Sequence, residues 1–100
     1  MDQAEMGNDS PANVSAESLE EAQAVASRAA RKAVAAQQRA VDIHRRAADF
    51  HRRAAEFYTF HAKLDRLAGY EGLASQMERR AEHERELEAD ELRKAEAQSK

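Results

Sequence analysis

Cysteine and tryptophan are absent from these 100 residues, proline occurs once and glycine three times. Without cysteine there is no disulfide scaffold and no thiolate nucleophile or metal ligand. Aromatic residues make up only 5% of the chain, as three Phe and two Tyr, so few large groups are available to fill a globular core. The 42% hydrophobic fraction is swollen by 23 alanines, each of which buries little area. No stretch approaches the ~20 apolar residues needed to cross a bilayer. The first residues also lack the basic-then-apolar order of a secretory signal. A soluble, cytoplasmic protein is therefore expected. Gly-rich phosphate loops, a nucleophile elbow and a convergent acid–base set are likewise missing. The expectation is a non-enzymatic chain with no catalytic residues, no cofactor and no small-molecule substrate.

What is present favours long helices. Charged residues reach 35%, mean hydropathy is −0.88, and no glycine or proline interrupts residues 12–68. The net charge of −3 is unevenly spread. Residues 1–29 carry −5, residues 30–68 carry +5 and residues 69–100 carry −3. A basic middle between acidic flanks invites pairing, within the chain or between chains.

The dominant feature is a phrase of seven residues stated twice in succession, HRRAADF (44–50) and HRRAAEF (51–57). QQRAVDI (37–43) is a looser copy upstream. Seven is the period at which one stripe of a helix meets a partner helix turn after turn, with left-handed supercoiling. In heptad notation, Ala33, Ala40, Ala47 and Ala54 take position a, and Ala36, Ile43, Phe50, Phe57 and Leu64 take position d. Alanines at a permit close approach, while the larger side chains at d fill the space. These nine residues are the expected interface. Positions b (Val34, Val41, Ala48, Ala55) and e (Gln37, His44, His51, Tyr58) widen the apolar sector to about 160°, enough for a bundle of three or four helices. Asp42, Asp49 and Glu56 lie among Arg39, Arg45, Arg46, Arg52 and Arg53 on the polar side, which reads as a self-neutralising solvated face.

Punctuation sets the boundaries. Residues 1–14 hold Gly7, Asn8, Asp9, Ser10 and Pro11 without apolar periodicity and read as a disordered tail. Ser18 with Glu21 fits a capping box, with Ser15 one turn earlier, so the long helix is expected over 15–68. Gly69-Tyr70-Glu71-Gly72 reads as a turn, and an acidic helix follows over 73–97, with 98–100 frayed. So short a connection makes the helices antiparallel. The fold class is thus all-α, a helical hairpin folded back along about residues 44–68. Leu73, Met77 and Ala81 give a fair seam near the turn, but the apolar side thins beyond them, predicting fraying toward the C-terminus. A stretch near 18–43 is left for another chain to cover, so self-association into a coiled coil or bundle is expected.

Two other partners fit parts of the pattern. The arginines flanking the apolar sector over residues 37–64, with acids opposite, resemble the charge arrangement of lipid-lying helices in exchangeable apolipoproteins. That resemblance implies membrane-surface binding, with Arg45, Arg46, Arg52 and Arg53 as anionic-surface contacts, on a face whose alanines bury little acyl area. Nucleic acid is less favoured, since acids recur in every heptad and the whole chain is acidic. Histidines 44, 51, 61 and 83 show no metal-binding spacing, and His44 and His51 stand about 10.5 Å apart along the helix, so no metal site is expected. As residues beside a seam, they would be expected to loosen assembly as they charge.

Overall fold

The computed structural model describes residues 11–100, and these described residues form two helices, α1 (Pro11–Leu67) and α2 (Glu71–Ser99). The all-α expectation holds, and residues 37–100 form an antiparallel helical hairpin. Residues 1–10, which carry most of the expected tail, lie outside the described residues. The helical start at Pro11 corrects the expected one: Ser15 and Ser18 lie inside α1, so neither caps it. Proline at a helix start loses nothing, because the first amides have no carbonyl partner within the helix. The chain divides into two compact units at Ala36/Gln37. In the first unit the described apolar side chains Leu19, Val25 and Val34 are exposed.

The second unit is closed by a turn whose hydrogen bonds follow from one glycine. Tyr70 N–H donates to the Asp65 carbonyl (2.7 Å) and Gly69 N–H to the Arg66 carbonyl (3.1 Å), a pairing that satisfies the last carbonyls of α1. It requires a left-handed residue, and Gly69 supplies it at φ +87°. The turn is also clamped by charge. Arg66 Nε reaches Glu71 (2.9 Å), and its terminal nitrogens reach Glu78 (2.7 and 3.3 Å). Both contacts raise the guanidinium further above its ordinary range, Glu78 most, and the Glu78 carboxyl is lowered in return.

The hairpin core is built almost wholly of alanine. Val41, Ala48, Ala55 and Ala62 are buried on α1, and Ala74, Ala81 and Ala95 on α2, each set in steps of seven or fourteen. Among the described residues, no large side chain is fully buried. Methyl groups at the contact let two helix axes approach toward the short end of the usual range of about 8–10 Å. They contribute little burial each, so the hairpin leans on cross-links between the helices. His44 Nδ1 meets Glu91 Oε2 at 2.6 Å, and His51 Nδ1 meets Glu84 Oε2 at 2.5 Å. The Gln37 side-chain amide donates to the carbonyl of Gln98. Each step of seven forward along α1 is matched by seven backward along α2, which is the antiparallel register. Pairing extends well past residue 44, and Ala95 is buried beside the C-terminal end. The expected fraying of α2 is corrected: alanine and hydrogen bonds replace the large apolar residues whose scarcity implied it.

Candidate functional site

The hairpin consumes only half of the wide apolar sector. Its seam runs through positions b and e of α1, namely Val41, His44, Ala48, His51, Ala55 and Tyr58, all buried or half-buried. Positions a and d lie about 100° further around the helix and are left open. Ile43 is 62% exposed, Phe50 67%, Phe57 56% and Leu64 44%, while Ala40, Ala47 and Ala54 are half-buried at the margin. Ala33 and Ala36, in the first unit, are exposed. The nine expected interface residues therefore do not form the hairpin's own core. Those within residues 37–100 make a continuous apolar stripe, about 31 Å from Ile43 to Leu64 at 1.5 Å per residue.

Aromatic contacts stiffen the stripe. The Phe57 ring sits 4.2 Å from the His61 imidazole and 5.6 Å, edge-on, from Tyr58. Phe50 stands edge-on to His51 at 5.5 Å and Phe60 to His61 at 5.8 Å. Tyr58 in turn lies under the Arg80 guanidinium, 5.9 Å from the ring centre, at a shallow depression also lined by Arg79 and His83. This contact places Arg80 of α2 on the same broad side of the hairpin as the stripe. The opposite side is defined by Arg85 donating to Thr59 (2.7 Å) and by the Arg66–Glu78 pair.

The four arginines expected to meet an anionic surface divide accordingly. Arg46 and Arg53 share a heptad position with Arg39 and border the stripe. Arg45 and Arg52 share theirs with Thr59 and Arg66, the position that faces the other side. Asp49 holds both Arg52 and Arg53, the latter at 3.0 Å, in the within-helix neutralisation expected of this face. On α2, Asp90 is paired with Lys94 (3.2 Å) and Arg93 (3.4 Å), which lower its carboxyl, Lys94 most, while Lys94 is raised in turn.

The histidines occupy a place the heptad notation did not give them. His44 and His51 are not margins of a seam but its polar rungs, each facing a carboxylate. Each imidazole is thereby committed to a carboxylate across the hairpin. The hydrogen bond from His44, and then the charge of Lys94, hold the Glu91 carboxyl below its ordinary range. The signal that marks these pairs is present in the sequence: two glutamates seven apart on α2, complementing two histidines seven apart on α1. Among the described residues, no group of three or more His, Asp or Glu is placed to hold a metal ion. No helix is long and apolar enough to cross a membrane among the described residues.

The chain matches no family model, no curated protein and no solved structure.

Proposed function

We propose that this chain is a small, non-enzymatic helical interaction protein that acts by coiled-coil self-association or by docking a partner helix. The observation that carries the reading is the open stripe of Ile43, Phe50, Phe57 and Leu64, spaced for a helix and left unused by the hairpin. Monomers rarely leave a continuous apolar patch of this kind uncovered without a use for it. Alternation of alanine with a large side chain along the stripe supports a helical occupant, because knobs from a facing helix need such holes. Adaptor, scaffold and regulator roles all follow from such contact, and a cytoplasmic setting is part of the proposal.

Light scattering across a concentration series tests self-association, and anisotropy with a fluorescent leucine-heptad helical peptide tests partner docking. Phe50→Glu with Phe57→Glu should abolish whichever is seen while circular dichroism retains its helical signal. A wild-type chain that stays monomeric and binds no helical peptide sinks the reading. A membrane surface is the second reading, favoured by the exposed aromatics beside Arg39, Arg46 and Arg53. Co-flotation with anionic vesicles, coupled with no helix binding, would establish it instead.

A further inference from the structure

Resting on the helix-docking reading, we infer that the stripe on residues 40–64 takes an acidic amphipathic helix from a different chain, rather than a second copy or a lipid surface. The argument is the charge that frames the stripe. Along one border stand Arg39, Arg46 and Arg53, one per heptad. Along the other, across Tyr58, stands Arg80 of α2. Of these four, only Arg53 is engaged by a carboxylate among the described residues, that of Asp49. The acids of α2 that face α1 are spent elsewhere: Glu84 and Glu91 on the seam histidines, Glu78 on Arg66. The open face is thus apolar along its middle, lined by arginine along the α1 edge and met by Arg80 on the other.

A second copy is a poor occupant of this face. In an antiparallel coiled coil the border position that holds Arg39, Arg46 and Arg53 meets its own counterpart. In a parallel one it meets the opposite border, where Arg80 stands. Stripe against stripe therefore sets cation against cation in either orientation, the pattern that disfavours pairing. An apolar seam with Glu or Asp on both flanks turns every one of these contacts favourable. Lipid shares the anionic character but not the shape. The order Ala47, Phe50, Ala54, Phe57 offers alternating holes and knobs that a facing helix engages in register, whereas acyl chains gain only from area, and alanine supplies little.

The test uses the full chain and three synthetic 21-residue helical peptides of one leucine–alanine seam, with Glu, Gln or Lys at every flanking position. By fluorescence anisotropy at 50 mM salt the Glu peptide should bind at least tenfold more tightly than the Gln peptide, and the Lys peptide least. The advantage should shrink as salt rises. Arg46→Glu with Arg80→Glu, helical by circular dichroism, should reverse the order of the Glu and Lys peptides. If all three peptides bind equally, the charge inference falls and helix docking survives; if none binds, both fall. A monodisperse dimer at micromolar concentration would give the face to a second copy and overturn the proposal. Flotation with phosphatidylserine vesicles that outcompetes the Glu peptide would overturn it in favour of lipid.

Discussion

Exchanging the largest residue of the repeat for a small one should matter less than enlarging one of its smallest. Phe50 is 67% exposed, so only about a third of its surface is buried in the hairpin. Full burial of such a side chain is worth about 1.5–3 kcal/mol, which leaves about 0.5–1 kcal/mol at stake in Phe50→Ala. Alanine's better helix propensity returns up to about 0.5 kcal/mol of that. A phenylalanine truncated inside a packed core would instead cost about 3–5 kcal/mol. Ala81 is the opposite case: it is 1% exposed, against the alanine seam of α1. Ala81→Leu forces three extra carbons into a closed contact, at a cost of about 1–3 kcal/mol. For a unit of this size each kcal/mol moves Tm by roughly 4–8 °C. Thermal melts followed by circular dichroism at low micromolar concentration should show Phe50→Ala within about 8 °C of wild type and Ala81→Leu lower by roughly 4–24 °C. A drop beyond about 12 °C for Phe50→Ala, with Ala81→Leu unchanged, would refute the placement of the seam.

Acid should release the far end of α2. The Glu91 carboxyl lies below its ordinary value of 4.5, so its contribution is complete above that value and is lost as pH falls through the lowered one. Amide exchange over residues 92–99 should therefore be slow at pH 6 and quicken relative to the intrinsic rate as pH falls below 4.5, and constant protection would contradict the role given to the His44–Glu91 rung. The two turn glycines should respond with opposite signs to alanine. Gly69→Ala places a side chain at positive φ and should cost about 1–2 kcal/mol, while Gly72→Ala, inside α2 with open space around it, should gain about 0.5–1 kcal/mol. Urea melts of the two variants check the pair, and like signs would refute the account of the turn.

Helix, turn and hairpin were legible because each has a strong local cause: unbroken helix formers, Gly69 at the helix end, and a connection too short for anything but reversal. The phase of the seam was not. A strict repeat of seven makes every position periodic, so spacing says that a stripe faces a partner without saying which stripe faces which partner. The usual guide, large apolar residues inward, assigned Phe50 and Phe57 to the first available core. The alanines of α2 cannot use them: the register sets Ala74 and Ala81 level with Ala62 and Ala55, and Ala95 level with Val41, and Glu84 and Glu91 need donors, which His44 and His51 provide. The hairpin settled on the edge of the sector where charge and size both matched. The open face followed as the remainder; its Arg39, Arg46 and Arg53 border was legible in the repeat, and Arg80 on the other side came into view only once α2 had been placed.

A duplicated phrase is also a ruler with two identical marks. If α2 slid by one heptad along α1, Ala95 would come level with Ala48 and Ala81 with Ala62, and Glu91 would meet His51 in place of His44. The seam on its own distinguishes these alignments poorly, because its rungs recur with the same period as its steps. What counts the residues is the closed turn: Gly69 in its left-handed pose and Arg66 gripping Glu71 and Glu78 fix the origin from which every later rung is measured. Opening that turn with a long flexible insert would leave two tracks free to shift against one another in strides of seven, each stride moving the aromatic stripe past different parts of the second helix.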